Sequence, residues 1–247
     1  MSIYTKAFQN EENKFKQDTD FDDVISLYNF DKRLRLLLLD MLERIEMSLK
    51  CVLAYEVTRY KDDNYWYAKG DNFKNGEDDI ENILKGIVDS SEIYIKHYYD
   101  TYSDPGYPPA WMFFESLTFG QSVRLARNFF DTERQIIAGF YKLPKKTVTQ
   151  MFYYLSHLRN VCAHHSRVWN RRFVSNVAKH PKYENIFGDT RRGSLYAYFV
   201  VMQIFLVKIS PTSTWLDKLD GLIKEHDIVI YRMGFPNDWR SKLESIK

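Results

Sequence analysis

The sequence predicts an all-α protein, and three observations carry that expectation. Apolar residues recur at three- and four-residue spacing over long stretches, the period of one buried helical face. Apolar–polar alternation never runs beyond four residues, and no internal repeat is present. Ten Gly and seven Pro in 247 residues are too few for a loop-rich or many-stranded β architecture. A helical bundle is therefore expected, with residues 1–18 as an N-terminal tail and 19–247 as a single domain.

The elements follow in order. Thr19-Asp20-Phe21-Asp22 reads as a capping-box-like opening. Behind it, Val24, Ile25, Tyr28, Leu34, Leu37, Leu38, Met41, Leu42, Ile45, Leu49 and Leu53 define a long amphipathic helix ending near Tyr60. A break near Phe30-Asp31 would make it two. Residues 61–78 are polar and read as a loop, and a second helix is expected over Asp79–Tyr99. The Pro/Gly-rich stretch Ser103–Pro109 is a turn. Short helices are expected over Ala110–Leu117, Ser122–Phe130 after a break at Thr118-Phe119-Gly120, and Thr132–Tyr141. Pro144 suits the first turn of a helix running to about His165. After an irregular segment with at most a short helix over 166–192, Leu195–Ile209 reads as a strongly apolar helix and Thr212–His226 as an amphipathic one. The aromatics of the tail, Phe235 and Trp239, are expected to pack inward.

Composition excludes several classes. Cys51 and Cys162 are too few for a disulfide framework and suit a reducing cytoplasm. The first twenty residues hold no secretory apolar segment, and no apolar run reaches the roughly 18 residues of a membrane span. A cytoplasmic location without membrane association is expected. The net charge is only +2, yet it is unevenly spread. Residues 142–192 carry eleven basic and two acidic side chains, a charge of +9 set against −7 in the remainder. Such a stretch in an otherwise acidic chain is an electrostatic footprint for a polyanion.

The most polar chemistry lies in residues 158–172, LRNVCAHHSRVWNRR. Asn160 and His164 are four apart and share a helix face, flanked by Arg159 and His165, with small Ala163 leaving room beside them. Arginine, amide and imidazole together can grip a phosphodiester and move protons around it near neutral pH. Arg167, Asn170, Arg171 and Arg172, with Lys145 and Lys146, could bind RNA phosphates. Trp169 either stacks a base or packs into the bundle. A purely structural alternative places the histidines at a helix C-terminus against its dipole and pairs Arg159 with a buried acid, Glu43 or Glu46. Cys162 looks interior and a poor nucleophile. No ligand set spaced for zinc, no glycine-rich phosphate loop and no nucleophile elbow is present, so neither a metal nor a cofactor is expected.

Three separated stretches resemble the Abi-like abortive-infection proteins of bacteria, a branch of the HEPN superfamily. They are Phe21-Asp22-Asp23-Val24 through Leu27–Arg35 to Glu43-Arg44-Ile45-Glu46; Pro109-Ala110-Trp111 with Glu115–Gly120; and Leu158–Asn170. The ending Gly234-Phe235-Pro236 with Asp238-Trp239 is similar too. Relative to that family, the chain starts just short of the Phe21 helix, where an additional helical segment is usual. The resemblance implies a HEPN-like bundle with peripheral helices and an Arg-x4–6-His ribonuclease motif, here Arg159 and His164 with Asn160 after the arginine. It also implies a homodimer that pairs two such motifs and cleaves RNA without metal in phage defence or as a toxin, with an antitoxin or regulatory RNA as a further partner. A catalytically silent RNA-binding module is the alternative. The residues suit the chemistry: one imidazole can accept the ribose 2′-OH proton and another protonate the leaving 5′-oxygen, while Arg159 stabilises the phosphorane charge. His165 could serve as the second imidazole within one chain.

Overall fold

The computed structural model describes residues 2–17, 19–74, 78–88, 92–173, 177 and 180–247. Its helices are α1 (Ser2–Thr5), α2 (Phe21–Cys51), α3 (Thr58–Lys61), α4 (Asp78–Val88), α5 (Ile93–Thr101), α6 (Ala110–Ser116) and α7 (Phe119–Asn128). These are followed by α8 (Asp131–Tyr141), α9 (Lys145–Ala163), α10 (Glu184–Phe187), α11 (Leu195–Ile209), α12 (Trp215–Glu225) and α13 (Trp239–Glu244). Among the described residues extended pairing is limited to the isolated bridges Gln9–Phe15 and Phe73–Phe129. The fold is all-α. Among those residues, no helix is long and apolar enough to cross a membrane.

Two compact units emerge, one of residues 1–42 and 158–247, the other of residues 43–157. The first is centred on α11. Every side chain from Leu195 to Leu206 is buried there, so this helix is apolar all round. Phe199 stacks on Trp215 at 5.3 Å, and Phe235 packs against Tyr196, Phe199 and Trp239. The tail aromatics thus close the core, as expected. The one polar side chain in that buried run, Gln203, is satisfied: it accepts from the Trp215 indole at 2.8 Å and donates to the Leu243 carbonyl at 3.3 Å. The N-terminal residues join the same unit through Tyr4, which is buried.

The second unit packs aromatics around Trp66 and Tyr67. Tyr67 stacks on Phe113 at 3.7 Å, Trp66 stacks on Phe114, and the Trp66 indole donates to Thr58 at 2.9 Å. Phe152 is buried, whereas Tyr153 stays half-exposed under the Arg127 guanidinium.

As expected of a single long helix, the one opening at Phe21 runs unbroken past Phe30-Asp31 to Cys51, then continues as a π-helical turn over Val52–Val57 and as α3 to Lys61. Other boundaries differ from expectation. The Asp79–Tyr99 segment is two helices, and Glu92 is extended at the start of the second. Phe119 and Gly120 are inside α7, because Thr118 and Gln121 form a capping box that starts the helix directly after Leu117. Of the acidic run Glu77-Asp78-Asp79, Glu77 and the side chains of the other two lie outside the described residues, as does Lys179.

Candidate functional site

The last turn of α9 carries the candidate residues. Arg159 is half-buried, whereas Asn160, His164 and His165 are exposed. The helix closes in a Schellman arrangement. The His165 amide donates to the Cys162 carbonyl at 3.1 Å and the Ser166 amide to the Val161 carbonyl at 3.0 Å. His165 occupies the left-handed position of that motif with φ 55°, where glycine is the usual residue. This geometry ends the helix at Ala163 and turns the chain sharply after the two imidazoles. Neither imidazole has a side-chain hydrogen bond among the described residues.

The chain leaving this turn is pinned by Asp31, a residue of α2 with 0% exposure. One carboxylate oxygen accepts from the amides of Val168 at 3.0 Å and Trp169 at 2.6 Å. The other accepts from the Tyr4 hydroxyl at 2.7 Å and from the Arg35 guanidinium. A carboxylate this deep is tolerable only when its charge is neutralised and its lone pairs are filled, and both conditions are met here. Burial and the adjoining carboxylate push the Tyr4 phenol up to about 12. Burial also pushes the Cys162 thiol up to about 12, so it stays protonated and unreactive near neutral pH.

The basic residues beyond the turn fall into different environments. Arg167 is half-buried, and its Nη1 donates to the carbonyls of Trp169 at 2.7 Å and Asn170 at 3.2 Å, bracing the loop. Burial pulls its guanidinium below the ordinary value, while Asp31 and Tyr4 pull it back up. Trp169 is 4% exposed, with the Arg232 guanidinium over its ring. Asn170 is exposed in the left-handed region at φ 47°. Arg171 is half-buried over Phe173, and Arg172 is exposed.

Lys145, Lys146, Glu43 and Glu46 belong to the other unit. Lys145 pairs with Asp131 at 3.3 Å and Lys146 is exposed. Glu46 is buried and pairs with Lys50 at 3.1 Å, and Glu43 is exposed.

The sequence matches the family described as Abi-like protein over residues 1–170. The chain belongs to that family. No curated protein and no solved structure matches it. The matched span of this Abi-like chain includes Asp31 and the whole His164–His165 turn and stops at Asn170.

Asp31 is the residue that sequence reasoning missed. Its signal was present: Leu27, Asp31, Leu34 and Leu38 fall at four-, three- and four-residue spacing, placing an acid on the buried stripe of α2. A charge on such a stripe requires partners, and these turn out to hold the loop beyond the histidines. Among the described residues no group of three His, Cys, Asp or Glu side chains is placed to hold a metal ion.

Proposed function

We propose that this Abi-like chain is a metal-independent endoribonuclease of an abortive-infection or toxin-type defence system, built on the HEPN plan. Arg159, Asn160 and His164 form its Arg-x4-His motif, and two copies of the chain complete the site. One imidazole takes the 2′-OH proton, that oxygen attacks the adjacent phosphorus, and an imidazolium of the second copy protonates the departing 5′-oxygen. Arg159 stabilises the charge on the phosphorane, and Asn160 orients the phosphate. The product end is a 2′,3′-cyclic phosphate.

The observation that carries this reading is the exposure of Asn160, His164 and His165 together on one rigid helix end, whose following loop is anchored by a fully buried carboxylate. A site meant only to finish a helix has no need of two exposed imidazoles, one of them in a conformation that favours glycine. His165 supplies the second imidazole if a single chain suffices.

The test is incubation of the purified protein with RNA in excess EDTA, followed by end-group analysis. Cyclic phosphate ends that vanish in His164→Ala and Arg159→Ala support the reading. Cleavage that requires metal, or that survives His164→Ala, removes it. The second reading, a silent RNA-binding module, is favoured by the absence of any orienting partner for either imidazole among the described residues. It predicts salt-dependent RNA binding with no cleavage.

A further inference from the structure

A second polar region of the first unit is built on different terms. Residues 170–173, 189–194 and 231–234 enclose an open cavity of about 780 Å3, within the roughly 300–1,000 Å3 common for small-molecule sites. Its walls are joined by backbone bonds, the Phe173 amide donating to the Gly193 carbonyl at 2.9 Å. Five arginines line it, Arg171, Arg172, Arg191, Arg192 and Arg232, against one acid, Asp189. Among the described residues none of the five has an ion-pair partner, and Arg172, Arg191 and Arg192 are exposed. Five like charges gathered around one concavity with a single acid among them repel one another, and a bound polyanion is what relieves that cost.

Two further features give the ligand its character. Tyr231, 69% exposed, stands at the rim beside Arg232 and offers an aromatic face. Ser194, on the cavity wall, caps α11 by accepting from the Ala197 amide at 3.3 Å, so the positive end of a fifteen-residue helix adds to the field of the arginines. Gly234 makes this corner possible. It sits at φ 84°, and a Cβ there would meet the Ser194 Cβ at 2.5 Å.

We propose that this cavity binds a nucleotide bearing more than one phosphate group, the guanidiniums holding the phosphates and Tyr231 stacking the base. Two sources carry that chemistry: a free nucleoside triphosphate and the 5′-triphosphate end of an RNA. The cavity is separate from the His164 motif, and its occupancy does not depend on the chain being a nuclease. Arg191, Arg192, Tyr231 and Arg232 also lie outside the span matched by the family.

The test is equilibrium binding of ATP, GTP, inorganic triphosphate and short RNAs to the full chain. The RNAs carry 2′-O-methyl riboses, so that they cannot be cut, and either a 5′-triphosphate or a 5′-hydroxyl end. ATP or GTP is expected to bind saturably at one site. The double variant R191A/R192A, altering two exposed side chains, is expected to weaken it by about tenfold or more. Tyr231→Ala should weaken the nucleotide while leaving inorganic triphosphate unchanged. Tight binding of free nucleotide alone assigns the free ligand, and equal binding of 5′-triphosphate RNA adds the RNA end. Absence of saturable ATP and GTP binding, an unchanged affinity in R191A/R192A, or 5′-hydroxyl RNA competing as well as the triphosphate would overturn the proposal.

Discussion

Asp31 and the arginine-lined cavity are two concentrations of charge in the first unit, and they are opposites. Asp31 is sealed, and every strong acceptor position of its carboxylate is used within the chain. The cavity is open, and three of its guanidiniums are exposed with no ion-pair partner among the described residues. A saturated charge holds a structure in one conformation, whereas an unsaturated cluster is held by the fold for something outside it. Substitutions should therefore have different consequences in the two regions: loss of stability around Asp31, loss of binding around Arg191 and Arg192.

The largest effect is expected for Asp31→Ala. It strands two buried amides, the Tyr4 hydroxyl and the Arg35 charge, and should cost about 3–5 kcal/mol by denaturant unfolding. Asp31→Asn keeps an acceptor and should cost less. An Asp31→Ala protein as stable as the parent would end the distinction between the two regions. Gly234→Ala comes next, at about 2 kcal/mol, since it combines a left-handed backbone with the Ser194 overlap. Weaker nucleotide binding should accompany it.

Alkali should sharpen the comparison. Cys162 and Tyr4 are held protonated up to about 12 in the folded chain, against ordinary values of 9.0 and 10.0. Groups with raised folded pKa values stabilise the native state fully below their unfolded pKa. That stabilisation drains away as pH climbs from about 9 toward 12. Denaturant midpoints should fall across that window, and Tyr4→Phe should flatten part of the fall. The smallest effect belongs to His165→Gly. Removing a Cβ from the left-handed Schellman position should raise stability by about 0.5–1 kcal/mol, and an unchanged cleavage rate would assign the second imidazole to a partner copy.

The legibility of these features in the sequence divides along the same line. α11 was readable to the residue because an apolar run bounded by Ser194 and Ser210, interrupted by Gln203 and Lys208, is too long for a strand. The α9 terminus was legible through its cluster of arginine, amide and histidine. Local chemistry misled at Gly120, read as a helix breaker when the Thr118–Gln121 capping box had already set the start. Asp31 was harder, since its partners lie 27 and 137 residues away and only the fold joins them. The cavity was hardest. Arg171 and Arg172 drew notice as part of a basic stretch, but Arg232 enters from a segment with no basic excess. Three stretches separated along the chain meet only through tertiary packing.

The most direct measurement concerns the nucleophile. An RNA carrying one 2′-deoxyribose at the mapped cleavage position should resist the protein there in EDTA while neighbouring ribose positions are still cut, because the attacking oxygen has been removed. Cleavage persisting at the deoxyribose would contradict attack by the 2′-OH, and with it the roles given to Arg159, Asn160 and His164.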